Sequence, residues 1–200
     1  MHLLKEVTYS HYKDPVSRAF NKLVDLTVHD SSNQDCLVAA LRQQSPDFAH
    51  ALLDVVEHYR RRNPRVTEFL PELNKQNEKH GYPLHISIFF HKLEVTLRML
   101  KLGVDSSVLT SIGANIIHLL FVQYDKDPVS AFQIMEECVK LGVNFNLVDS
   151  QKAAPIHLAL RKRQYVALQD CLKLNRNRQV IDFNLPDKNG NTALHYACDK

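Results

Sequence analysis

Four histidines stand at near-regular intervals, His85, His118, His157 and His195, with steps of 33, 39 and 38 residues between them. Imidazole is a common metal ligand and the side chain that titrates nearest neutral pH, so the set invites a zinc or acid–base reading. Spacing argues the other way. Zinc needs donors converging within about 2 Å of one ion, whereas residues this evenly separated fall one to each unit of a repeat. Four cysteines, Cys36, Cys138, Cys171 and Cys198, include no C-x-x-C pair. Each lies in an apolar helical context, where a free thiol behaves as a small hydrophobe. A reducing, cytoplasmic compartment is the simpler expectation, with disulfides the alternative. No G-x-S-x-G elbow, G-x-x-x-x-G-K-S/T loop or H-E-x-x-H helix occurs. The expectation is therefore a protein that is not an enzyme and holds no metal or cofactor.

The elements that carry those histidines come next. Each His ends a short motif: Tyr82-Pro83-Leu84-His85, Asn115-Ile116-Ile117-His118, Ala154-Pro155-Ile156-His157 and Thr192-Ala193-Leu194-His195. A second signature follows the first three, Met99-Leu100-Lys101-Leu102-Gly103, Cys138-Val139-Lys140-Leu141-Gly142 and Cys171-Leu172-Lys173-Leu174-Asn175. Gly103, Gly142 and Asn175 are of the types that tolerate the left-handed conformation closing a helix. Two signatures recurring in one order mark a repeat, predicting helices near 84–91, 94–102, 116–123, 128–141, 155–162, 165–174 and 193–199.

The stretch Asp187-Lys188-Asn189-Gly190-Asn191-Thr192-Ala193-Leu194-His195-Tyr196-Ala197 resembles the D-x-x-G-x-T-P-L-H-x-A motif of the ankyrin-repeat family, with Ala193 for Pro. The resemblance is good over 81–200, weaker over 33–62, and fades before residue 30. It implies an all-α, ankyrin-type solenoid of helical hairpins. It also implies that His85, His118, His157 and His195 bond backbone of the adjoining loop and hold successive repeats together. The departures are specific. Asn77 and Thr110 replace the motif Asp, and His80 and Lys152 replace its Gly. The third copy runs 24 residues from His118 to Gly142 against 18 from His85 to Gly103, which places six extra residues near Gln123 to Asp127. The fourth copy is stretched at Arg176 to Val180.

Upstream, residues 15–28 predict an amphipathic helix with Asp14 as N-cap and Pro15 in its first turn. Ser32 and Asp35 resemble a capping box opening a helix at Cys36. A further helix starts at Ser45-Pro46, with Phe48, Ala51, Leu52, Val55, Val56 and Tyr59 on one stripe. This pair looks like a divergent first repeat with Val38 where the His would be. Residues 63–80, with Pro64 and Pro71, read as an extended connection. The expected organisation is thus an atypical helical cap over 1–30, a divergent helix pair and connection over 31–80, and ankyrin-like repeats over 81–200. The last repeat stops inside its first helix, so the sequence reads as a fragment. No segment holds a sustained period of two, so a β-sheet core is not supported.

Composition narrows the function classes. The 200 residues are 44% hydrophobic and 24% charged, enough to fill a core. A net charge of +3 does not by itself call for nucleic acid, and no run approaches the apolar length of a membrane span. A small-molecule ligand has no support in the motifs. Arg60-Arg61-Arg62 with Arg65 is the densest basic run; a nucleic-acid contact and a helix-end role both remain open for it.

By the same resemblance, residues four and five after each motif His face a groove that grips partners. Phe89 and Phe90 hold those places in one copy, Val122 and Gln123 in the next, Arg161 and Lys162 in the third. The expected contact set is Phe89, Phe90, Tyr124, Arg161, Lys162 and Arg163, with loop residues Ser111, Ile112, Ser150, Gln151, Lys188 and Asn189. The function expected is a non-catalytic protein–protein interaction module. The alternative is the substrate-targeting arm of a longer enzyme, or of a bacterial effector acting in host cytosol, with catalysis housed beyond Lys200.

Overall fold

The computed structural model describes residues 36–62, 73–77 and 81–198. The expected helix over 15–28, the cap over 1–30, the Ser32–Asp35 box and most of the 63–80 connection lie outside the described residues. Among the described residues the structure is helical without strands, and one isolated bridge joins Asn77 to Gly81. The helices are α1 (Cys36–Leu41), α2 (Asp47–Arg62), α3 (Pro83–Phe89), α4 (Leu93–Lys101), α5 (Ile116–Gln123), α6 (Pro128–Lys140), α7 (Pro155–Arg161), α8 (Tyr165–Arg178) and α9 (Ala193–Cys198). The chain forms two compact units, Met1–Ile86 and Ser87–Lys200.

In the first unit α1 packs on α2. Ser45 opens α2 by accepting the Asp47 N–H at 3.2 Å and donating its hydroxyl to the Asp47 carboxylate at 2.6 Å. The buried stripe of α2 is Ala49, Leu52, Leu53 and Val56. That corrects the expected stripe: Phe48, Ala51 and Val55 are half-buried. Successive helical residues turn by about 100°, so a one-residue offset keeps Leu52 and Val56 on the core face while exchanging their companions. Val38, where the repeat elsewhere carries His, is fully buried.

In the second unit two rows of helices run alongside each other. One row places α5 against α7 and α7 against α9; the other places α4 against α6 and α6 against α8. Apolar residues fill the space between, with Ile116, Ile117, Leu120 and Phe121 of α5 and Ile134, Met135 and Cys138 of α6 buried. Helices α4 and α6 end alike. Gly103 and Gly142 take φ of 83° and 73°, and their N–H groups donate to Leu100 and Val139 carbonyls. The next residues, Val104 and Val143, donate to Met99 and Cys138. This double bond pattern satisfies carbonyls that a helix end leaves bare, and its left-handed residue favours glycine.

Asn175 does not close α8, which corrects the third signature. The helix continues to Arg178 and ends on Gln179, whose φ is 45°. Asn175 stays helical and its side-chain amide bridges to Ile181. It accepts the Ile181 N–H at 2.7 Å and donates to the Ile181 carbonyl at 2.7 Å. The stretch Arg176 to Val180 is therefore one extra helical turn with its return, and the Asn175 amide supplies the closing bonds that backbone supplies in the other copies.

The inserted residues of the third copy also have a definite structure. Tyr124–Lys126 form a one-turn 3-10 helix after α5, and Asp127 caps α6 by accepting the Ser130 N–H. The Ser130 side chain above all, then this backbone bond, holds the Asp127 carboxyl below the usual range against the opposing effect of burial.

Candidate recognition surface

The turns that precede the row α5, α7, α9 are built identically. The N–H of Thr110, Asp149 and Asp187 donates to the carbonyl of Ala114, Ala153 and Asn191, four residues on. Asp149 also accepts N–H groups of Gln151 and Ala153 on one carboxylate oxygen, and Asp187 accepts those of Asn189 and Asn191. Thr110 stands in for Asp by accepting the Ala114 N–H on its hydroxyl at 3.0 Å. Lys152 holds the turn at φ 55°, where Gly113 and Gly190 have 74° and 80°.

From each turn the chain enters its helix through a histidine bond. The N–H of Asn115, Ala154 and Thr192 donates to Nδ1 of His118, His157 and His195 at 3.2, 3.0 and 3.1 Å. With Nδ1 accepting, the ring proton sits on Nε2. That nitrogen reaches the following loop: His118 donates to the Ala153 carbonyl at 3.0 Å and His157 to the Leu185 carbonyl at 2.9 Å. Both rings are fully buried. Burial holds the His118 pKa below 6.5 against the opposing pull of the Ala153 carbonyl and Asp149. His85 is buried edge-on against Tyr82. His195 is exposed, and among the described residues it shows the local half of the pattern. The histidines thus stand one to a turn, each bonded to backbone or ring neighbours. Among the described residues no group of three His, Cys, Asp or Glu is placed to hold a metal ion.

The opposite ends of the same helices are bare. Phe89 is 69% exposed and meets Phe90, also exposed, edge to face at 5.2 Å between ring centres. Val122 and Arg161 hold the equivalent exposed places on α5 and α7. Two glutamines tie these ends together: Gln123 donates to the Phe89 carbonyl at 3.2 Å, and Gln164 to the Val122 carbonyl at 3.4 Å. Beyond Arg161, Lys162 and Arg163 are exposed as well. Arg163 ends α7 at φ 56° and His91 ends α3 at φ 58°. Both repeat the double bond pattern of α4 and α6 without a glycine.

The loop residues form a second row. Ser111, Ile112, Ser150, Gln151, Lys188 and Asn189 are all exposed at turn tips. Neighbouring tips touch, since the Ser150 N–H donates to the Ile112 carbonyl at 2.8 Å and Lys188 Nζ to the Gln151 side-chain oxygen at 2.9 Å. The expected contact residues therefore fall into a helix-end row and a turn-tip row.

Tyr124 leaves the set. It is fully buried, donates its hydroxyl to Asp170 at 2.8 Å across 46 residues, and packs edge-on against Phe121. Asp170 also takes Lys173 Nζ at 2.6 Å. Desolvation, then the Asp170 bond, raises the Tyr124 pKa far above its ordinary value. The reason for the correction is chemical: a phenol in an insertion reads as a surface group until a distant carboxylate supplies its buried partner. Val122 is the residue the expected set omitted. Its signal was present, because it shares the register of Phe89.

Cysteines follow burial. Cys138 and Cys171 are buried, and loss of hydration pushes the Cys138 thiol up to about 12, Glu137 adding to it; the same cause raises Cys171. Neither is a thiolate at neutral pH. Cys198 is free and exposed, which corrects its reading as a small core hydrophobe. Of the basic run, Arg61 is exposed and paired with Glu57 at 3.7 Å, while Arg65 lies outside the described residues.

No family model matches the chain. It is 24% identical over 155 residues to the nuclear factor NF-kappa-B p105 subunit of Gallus gallus, a protein that contains ankyrin repeats. The alignment takes in 74% of this chain and 15% of that relative. No helix among the described residues is long and apolar enough to cross a membrane.

Proposed function

We propose that this chain is an ankyrin-type helical-hairpin scaffold that recognises another protein without transforming it. One observation carries the reading: α5 and α7, whose first turns are locked by buried histidines, leave Val122 and Arg161 exposed at their last turns, in line with the exposed Phe89 of α3. A polar clamp fixes the backbone, so little ordering entropy is lost when a partner meets the Phe89–Val122–Arg161 edge. Exposed aromatics beside arginine are favoured anchors in protein interfaces. The similarity to an ankyrin-containing relative supports the same reading. On it, the turn-tip row supplies polar contacts around an apolar and cationic centre, and the site works in a reducing cytoplasm.

The test compares the wild-type chain with a Phe89→Ala, Phe90→Ala double variant, using cross-linking in a cell extract and thermal unfolding in parallel. Partner capture should fall at least about tenfold, as for loss of an interface anchor, while Tm moves by no more than about 2 °C. A double variant that unfolds would place the rings in the core and remove the reading.

A further inference from the structure

Resting on that reading, we propose that the helix-end row takes an extended acidic peptide segment: one apolar anchor side chain for Phe89, Phe90 and Val122, and a carboxylate cluster for Arg161, Lys162 and Arg163. The argument begins with charge. The three consecutive cations are exposed, and among the described residues none forms an ion pair. One acidic residue joined to this edge is the exposed Asp125, whose backbone N–H bonds the Gln164 side chain at 3.0 Å. Arg161 also lies against Tyr196, whose hydroxyl donates to Asp187 at 2.6 Å, and two acids beside three bases still leave the edge cationic. A helix C-terminus accounts for part of this, since its dipole favours about one positive charge in the last turn. It does not account for Arg163, which holds a left-handed position where Gly103 and Gly142 serve α4 and α6.

Geometry then sets the spacing. The glutamine bonds place the Phe89, Val122 and Arg161 ends in sequence along one edge. Neighbouring helix axes lie about 8–10 Å apart, so two steps cover about 16–20 Å. A peptide at about 3.3 Å per residue crosses that distance in about five or six residues. The segment should thus carry Leu, Met or Phe separated from its acids by that number of positions. A nucleic-acid strand would satisfy the cations and leave the aliphatic Val122 without a matching group, so peptide is the better fit.

The test is selection of random 12-residue peptides on the whole 200-residue chain. Selections run in parallel on the wild type, on Phe89→Ala and on the triple variant Arg161→Glu, Lys162→Glu, Arg163→Glu. Wild-type selection should enrich an apolar residue and paired Asp or Glu at the stated separation. A fluorescein-labelled consensus peptide should lose about tenfold or more in affinity on each variant. Its affinity for the wild type should also fall between 50 and 500 mM salt, about the range over which exposed charges become screened. The salt series keeps the proposal exposed even where the triple variant misfolds by circular dichroism. Enrichment of peptides without acids, no enrichment at all, an unchanged selection on a folded triple variant, or displacement of the peptide by an equal concentration of polyuridylate would each overturn it. Partner capture that survives both variants and fails on substitution of Ile112 and Lys188 would overturn this inference and leave the scaffold reading standing. A wild-type chain that captures no partner removes the scaffold reading itself.

Discussion

The two ends of helices α5 and α7 have opposite chemistry on the same short element. At the first turn a buried imidazole accepts one backbone N–H and donates to a carbonyl of the next loop. At the last turn the side chains are exposed, and glutamine side chains tie neighbouring ends through backbone groups. The first arrangement depends on backbone groups that every residue possesses, so it constrains the His and little else. The second leaves the side chains free to vary as Phe, Val and Arg without disturbing the frame. On the proposed function, stability and recognition are thereby separated along about 10 Å of helix. Substitutions at one end should cost folding, and those at the other should cost binding.

The sharpest way to break this contrast is His118→Ala. The variant leaves the buried Asn115 N–H unpaired, costing about 1–3 kcal/mol, and leaves the Ala153 carbonyl with the Asp149 N–H alone. Denaturant unfolding should show a loss of about 3 kcal/mol. A loss below about 0.5 kcal/mol, the range of ordinary surface changes, would mean that the clamp contributes nothing.

Tyr124→Phe should follow at about 1–2 kcal/mol, because it removes one buried hydroxyl and leaves Asp170 with Lys173 as its remaining partner. Double substitution with Asp170→Asn should recover part of that loss, since the two effects share one bond. Strict additivity would show that the pair is not coupled. This bond was hidden from sequence reading because no spacing rule links residues so far apart. The histidine clamps at His118 and His157, by contrast, were legible from the repeat period and the family resemblance, while His195 shows the local half of the expected bonding. Helix ends were legible where glycine marks them, as at Gly103 and Gly142. They were not legible at His91 and Arg163, whose side chains carry no left-handed signature, nor at Asn175, whose type fits both a helix end and the amide bridge it makes. The α2 stripe was misread because two neighbouring faces were nearly as apolar as each other.

Acid should weaken the clamp end in a defined direction. The folded pKa of His118 is lowered by burial, while its unfolded value is near 6.5. The unfolded chain therefore binds the proton first, so this group's contribution is complete above about pH 6.5 and declines as pH falls below it. Tm should drop between pH 7.5 and 5.5, and less steeply in His118→Gln. A flat profile in the wild type would detach the clamp from the ring's protonation.

The smallest effect concerns the bare end and runs in the opposite direction. Arg163 occupies φ 56°, a conformation in which a side chain is disfavoured and glycine is not. Helices α4 and α6 place glycine at the corresponding point, and α7 keeps a cation there. Arg163→Gly should therefore stabilise the chain by about 0.5–1 kcal/mol, the reverse of the usual penalty for adding a side chain at positive φ. The same change should weaken capture of an acidic peptide, because it removes one of three charges. A gain in stability with loss of binding is the signature of a residue held at some cost to folding. If Arg163→Gly leaves both quantities unmoved, the strained arginine belongs to neither end of the comparison, and the cationic edge reduces to Arg161 and Lys162.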